Sequence, residues 1–279
     1  MFVSIHGRAC FCATFVLAAF SVRAPGQDPW ADRVVSYDPG STPVGGFKDP
    51  QTALGSPERF TGEGVFPGVV SVFNPPFGTD ELVSIGEGGH LTLGFDEPIT
   101  NDASHPFGVD FLAFGNGGFV DVKWPMGMVG PQPTLFGADE MRVSVSSDGV
   151  RFVDLGAFVE GFFPTQGYLD AGPYATSPGS FPTDFTLPVN PAFVLASFAN
   201  ATLADVLTMY AGSGGGTPID IGAAGLSAIS FVRIDVLDDG NPNTQLNVEI
   251  DALAIVPEPS TLALFGFLVL AGALRKKRQ

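Results

Sequence analysis

Met141-Arg142-Val143-Ser144-Val145-Ser146-Ser147-Asp148-Gly149-Val150-Arg151-Phe152-Val153-Asp154-Leu155 is the stretch that decides the fold class. Met141, Val143 and Val145 alternate with Arg142, Ser144 and Ser146, the period of two that lines one face of a strand with apolar side chains. Ser147-Asp148-Gly149 reads as a hairpin turn, because Asp and Gly tolerate the positive φ of tight primed turns, and a return strand is expected over 150–155. The alternation recurs in Leu91, Leu93 and Phe95 against Thr92 and Gly94, and in Val109, Phe111 and Ala113 against Asp110. Leu246, Val248, Ile250 and Ala252 alternate with Asn247, Glu249 and Asp251 in the same way. The run 229–236 is apolar on both faces, as expected of a more central strand. A helix is expected over 202–210, with Thr202 as cap and Asp205 at the positive end of the helix dipole. Gly212 to Gly216 ends it and lacks the Gly-Lys-Ser/Thr of a phosphate loop. These signals predict an all-β chain: an antiparallel, jelly-roll-like β-sandwich with one or two short helices.

Composition agrees and excludes several classes. With 36 Gly, 24 Pro, 26 Phe and 45% hydrophobic residues, the chain is too apolar to be a disordered acidic tail. Its formal charge is −16, and the stretch 28–256 holds 7 Lys+Arg against 28 Asp+Glu, or −21. Nucleic acid is excluded as a partner, since phosphate neutralisation needs clustered Lys and Arg.

The ends differ from the middle. Arg8, an apolar run from Ala9 to Phe20 and the small-residue exit Val22-Arg23-Ala24 read as an export signal over 1–24, a helix removed on secretion. Cys10 and Cys12 lie inside it, so the exported chain is expected to have no thiol and no disulfide. One domain is expected over 25–256, followed by a distinct segment over 257–279. That segment opens with Pro257-Glu258-Pro259, continues with fourteen uncharged residues from Thr261 to Leu274 and closes on Arg275, Lys276, Lys277 and Arg278. Fourteen helical residues reach about 21 Å, less than the roughly 30 Å of a bilayer core, so the segment reads as a short transmembrane anchor. The basic cluster would stay on the cytoplasmic side and the domain outside.

A Pro-Glu-Pro tripeptide, a short apolar helix and a terminal Arg/Lys cluster, in that order, resemble the PEP-CTERM sorting signal of exported bacterial proteins. The resemblance implies an exosortase-type processing enzyme as partner, a membrane-tethered intermediate, and delivery to the cell envelope or the extracellular matrix. A second resemblance covers roughly 80–155, with an echo over 231–254. Ser84 to Asp96, Gly108 to Asn116 and Val143-Ser144-Val145-Ser146-Ser147-Asp148-Gly149 look like discoidin-like, galactose-binding-like jelly rolls, which bind glycans or other surface ligands from loops at one end. Gly115 stands where that resemblance implies a Glu.

Catalytic constellations are scarce. His90, at the head of a strand, and His105, in a polar loop, stand in no nucleophile–base motif and read as solvated. No zinc spacing occurs. Paired carboxylates for glycoside hydrolysis stay open by count alone, although raising one acid's pKa needs an apolar pocket that nothing in the sequence marks. Calcium is the candidate ion. Asp235, Asp238, Asp239, Asn241 and Asn243 supply oxygens within nine residues, and Glu249 and Asp251 could return beside them. The bland alternative is a solvated turn with Arg233 paired to Glu249 or Asp251. A weaker second group is Asp38, Asp49 and Glu58. For ligands, Trp124 and the loop tyrosines Tyr168 and Tyr174 could form a shallow stacking surface for sugar rings, or else cap the core. At −21 the domain repels anionic polysaccharides, so neutral glycans are the expected ligand. The expected role is a non-catalytic surface or matrix component; a secreted polysaccharide hydrolase and a purely structural coat protein are the alternatives.

Overall fold

Leu91, Leu93 and Phe95 project to one side of an eleven-residue strand and are buried, as the alternation requires. The computed structural model describes residues 28–41, 43–238, 240–241 and 246–258. The expected export helix, Asp239, Asn243 and the apolar helix and basic cluster of the tail lie outside the described residues. The described residues belong to one compact unit, Ala24–Pro259. Among them, no helix is long and apolar enough to cross a membrane.

Among the described residues, nine strands make the two main antiparallel sheets: β1 (Arg33–Asp38), β2 (Val83–Gly86), β3 (His90–Thr100), β4 (Phe111–Gly115), β5 (Glu140–Ser146), β6 (Val153–Val159), β7 (Thr217–Ile219), β8 (Ala228–Asp235) and β9 (Asn247–Ile255). The first sheet runs β1-β3-β8-β5-β6 and the second β7-β4-β9-β2. From β2 onward the chain steps between sheets so that β2-β9-β4-β7 faces β3-β8-β5-β6. This is the strand order of a jelly roll, with β1 added at one edge. In register, Val232 pairs with Leu93 and Val145, and Ile234 with Leu91 and Val143, which aligns one apolar row across three strands. Val83, Ile85, Phe111, Val248, Ile250 and Leu253 meet that row from the second sheet in a common core.

The two sheets differ in their outer faces. β8 is central, as expected, yet only Ile229, Val232 and Ile234 of one face are buried while Ser230, Phe231 and Arg233 are half-exposed. The strands buried on both faces are β2, β4 and β9 of the second sheet. Their outer side carries Leu112, Phe114 and Ala254, packed under Phe185 and Trp30; the Phe114 and Phe185 rings stand 5.3 Å apart, edge to face. The alternation over 246–252 therefore does not mark a solvated face: Glu249 and Asp251 are buried, and so is Asp110 before β4.

Much of that cover comes from 160–216. α1 (Leu203–Tyr210) starts on a reciprocal cap, with the Asp205 N–H donating to Thr202 Oγ1 at 3.3 Å and the Thr202 N–H to Asp205 Oδ2 at 2.9 Å. Its buried residues Val206 and Tyr210 join Phe163 and Phe198 in a satellite core. Arg59 clips the cover from below. Its guanidinium donates to the carbonyls of Gly167 and Thr183 and to Thr183 Oγ1, and lies 3.9 Å from the Phe185 ring centre. Burial lowers its pKa.

The hairpin after β5 is longer than a primed two-residue turn. Its connection spans 147–152 and only Gly149 has positive φ, at 72°. Ser146 Oγ accepts from the Asp148 and Gly149 amides, and Asp148 Oδ1 from those of Val150 and Arg151, so side chains close the loop. β6 consequently begins at Val153 rather than at Val150.

Leu93 is fully buried at the centre of the sandwich, and Leu93→Ala is expected to lower the unfolding free energy by about 3 kcal/mol. Val150→Ala, at a position 81% exposed, should stay within about 0.5 kcal/mol. Urea denaturation of the two variants checks both.

Candidate functional site

Glu249 and Asp251 sit two residues apart on β9, and with Val248 and Ile250 in the main core both carboxyls fall on the covered side of the sheet. Each has its own nest. Glu160, 1% exposed, follows β6 directly and folds over Gly115. Its Oε2 accepts the Glu249 N–H at 2.8 Å and its Oε1 the Asn116 N–H at 2.9 Å. With its side-chain nitrogen turned inward, Asn116 donates to the same Oε1 at 3.1 Å and to the Gly137 carbonyl at 2.6 Å. Ser84 Oγ donates to Glu249 Oε1 at 3.2 Å, and Asp139 accepts the Asn247 N–H at 3.3 Å nearby. A Cβ at position 115 would lie 2.2 Å from Glu160 Oε1, so a glycine is what admits the carboxyl. Position 115 carries no acid, and the Glu160 carboxyl lies against it.

Asp251 accepts the Glu58 N–H on both oxygens, at 3.3 and 3.1 Å. Beside it Glu81 gathers the loop over 61–78, accepting from the amides of Gly62 at 3.0 Å, Phe77 at 3.1 Å and Gly78 at 2.7 Å, and from the Thr61 hydroxyl at 2.5 Å.

Electrostatics follows from the cover. Desolvation disfavours a carboxylate. Burial, reinforced by the neighbouring Glu249 charge, holds Glu160 well above the usual carboxylate range. Burial pushes Glu249 up to about 7. Asp251 is raised by burial, with the charges of Glu58 and Glu81 adding to it. Glu58 is raised by burial and by Glu81, Asp80 and Glu63. Burial thus works against the charged form at all four carboxyls, most strongly at Glu160 and Asp251. Glu160 and Asp251 are shut from solvent and present no surface to a substrate.

His105 is not solvated. Its ring is buried and its Nδ1 stands 2.8 Å from Asp110 Oδ1, while Asp110 also accepts the Ile221 N–H at 2.9 Å. The pair ties the 101–109 loop to the start of β4. His90 does head β3, with Nε2 at 3.2 Å from Ser36 Oγ.

Among the described residues, those expected to bind calcium do not converge. Asp235 is taken by Arg233, two residues back on the same strand, at 2.7 Å. Glu249 and Asp251 belong to the other sheet and face its covered side, which also removes the expected pairing of Arg233 with either. Asp238 accepts the Gly240 N–H and Asn241 is exposed. In the weaker group, Asp38 accepts from Gly40, Asp49 caps a short 3-10 turn at Pro50–Ala53, and Glu58 lies with Asp251. Among the described residues no cluster of three or more His, Cys, Asp or Glu side chains is arranged to hold a metal ion.

Two of the three expected ligand aromatics meet. The Trp124 and Tyr174 rings are 6.3 Å apart at 59°, Trp124 is 73% exposed, and the Tyr174 hydroxyl donates to Asp121 Oδ2 at 3.2 Å. Asp121 in turn accepts from the amides of Lys123, Gly127 and Met128, so one carboxylate shapes the loop that carries Trp124. Tyr168 lies instead against Arg59, whose guanidinium is 6.0 Å from its ring centre.

Sequence reasoning missed Glu160, Asn116 and Ser84. One signal was present: Phe111-Leu112-Ala113-Phe114 is apolar on both faces, which marks a sheet covered on both sides and therefore a dry setting for the acids of its neighbour β9.

Residues 256–278 match the PEP-CTERM protein-sorting motif. The motif marks an exported protein that an exosortase-type enzyme sorts at the membrane and processes. No curated protein matches the chain.

Glu249 titrates at about 7 when folded and near 4.5 in its ordinary state. The folded chain thus keeps a proton that the unfolded chain has lost, and stability is full below pH 4.5 and declines as pH rises to about 7. The groups facing Glu249 are Ser84, Asn116, Glu160 and Asp139. The expected decline is on the order of 3 kcal/mol, read as a fall in urea midpoint between pH 5 and pH 8 and flattened in Glu249→Gln. Gly115→Ala should cost about 3 kcal/mol at either pH, because its Cβ collides with Glu160 and with the Glu249 carbonyl.

Proposed function

We propose that this chain is an exported, non-catalytic component of the cell envelope or extracellular matrix, tethered through its tail until an exosortase-type enzyme removes that tail. The sorting motif over 256–278 carries the reading. The export-signal pattern over 1–24 and the positive cluster at 275–278 agree with it. A non-catalytic role is supported by where the acids and histidines go. The raised carboxyls are enclosed by backbone donors, and His105 is engaged with Asp110.

The ligand in this reading is a neutral glycan, stacked on Trp124 beside Tyr174. Asp121 fixes the Tyr174 hydroxyl and three loop amides, so the surface is preorganised. A body at −21 leaves uncharged sugars as the compatible polysaccharides.

The tail-processed protein is expected to be retained on a neutral-glycan array without releasing reducing sugar, and Trp124→Ala should weaken retention about tenfold, the weight of one stacked ring. Sugar release lost on replacing single carboxylates would instead make it a hydrolase. Neither retention nor release would leave a structural coat protein.

A further inference from the structure

The sorting motif begins where the fold ends, with no spacer between. Ile255 is 7% and Val256 1% exposed, and Val256 packs in the layer with Trp30, Phe185 and Leu112. The Ile255 N–H donates to the Pro29 carbonyl at 2.7 Å and the Val256 N–H to the Asp110 carbonyl at 3.0 Å. Trp30 pairs antiparallel with Ala254, so the first described residues of the chain clamp the last ones of the strand. Asp110 is itself fixed by His105 and Ile221. The next residue, Pro257, is half-buried and has no N–H to extend the ladder, and Glu258 is the first exposed residue.

Extended peptides are gripped through the main-chain hydrogen bonds of an added strand, and the matched motif includes Val256 itself. On the N-terminal side of Pro257-Glu258-Pro259 that backbone is already paired within the domain. An enzyme at the membrane cannot use it while the sheet holds it.

We infer that the domain gates the removal of its own sorting tail: Ile255 and Val256 must unzip from Pro29 and Asp110, and Val256 must leave the layer around Trp30, before the motif can be engaged. The gate makes and breaks no covalent bond; it sets the fraction of time in which the strand end is available. It delays processing and favours chains whose last strand and N-terminal clamp have opened locally, a low-stability motion confined to the domain edge. The inference rests on the sorting reading above.

The test uses the full chain in cells that carry an exosortase-type enzyme, with tail loss followed by pulse-chase and intact mass. A Gly/Ser spacer of about six residues that ends in a second Val, inserted between Val256 and Pro257, keeps Val256 packed and frees a complete motif from the fold, and tail loss should accelerate about tenfold or more, the weight of two backbone hydrogen bonds. Trp30→Ala, which leaves the motif untouched, should accelerate it less and speed hydrogen exchange at the Ile255 and Val256 amides. Equal or slower tail loss in the spacer chain overturns the gate alone. Retention of the tail by both the native and the spacer chains overturns the sorting reading and the gate with it.

Discussion

Leu112, Phe114 and Ala254 project from β4 and β9 on the side away from the main core, and water has to be kept from them. Each buried phenylalanine stabilises the fold by about 2 kcal/mol only if something covers it. A jelly roll with one solvated face needs no such cover, and the first sheet, whose outer residues are half-exposed, does without it. The second sheet recruits the long insertion between β6 and β7, the loop held by Glu81 and the N-terminal segment at Trp30. The remaining peculiarities descend from that requirement. Acids caught beneath the cover must be neutral or richly hydrogen-bonded, and Gly115 must lack a side chain so that Glu160 can fit.

The main architecture was legible because it depends on period. Leu91, Leu93 and Phe95, and Met141, Val143 and Val145, each line one face, and the helix over 202–210 announced itself through Thr202 and Asp205. What failed was the assumption that a polar residue in an alternating strand faces water. Glu249, Asp251 and Asp110 obey the period but point under a cover built from residues dozens of positions away, which no local pattern encodes. The same non-locality hid Glu160, whose partners Asn116 and Glu249 are 44 and 89 positions distant. Of the residues expected to bind calcium, Asp235 and the pair Glu249 and Asp251 are parted by topology, since the strands on either side of the loop enter different sheets. Trp124 meets Tyr174, while Tyr168 lies against Arg59.

The chain is strongly acidic in sequence, yet burial raises the pKa of Glu58, Glu160, Glu249 and Asp251. Depth therefore works on charge, favouring ionised groups at the surface and opposing them beneath the cover. The motif that addresses the protein to the membrane is a sequence feature, but what precedes it is a packed strand end. Address and fold therefore share a boundary at Val256, and neither can be altered there without touching the other.

The clip made by Arg59 is built from carbonyls, a hydroxyl and a ring face. Ion pairs at a surface fade as dissolved electrolyte accumulates around them, whereas a cation enclosed by neutral oxygens and an aromatic face is screened far less. An exported protein has little control over the ionic strength it meets, and a latch of this composition depends little on it.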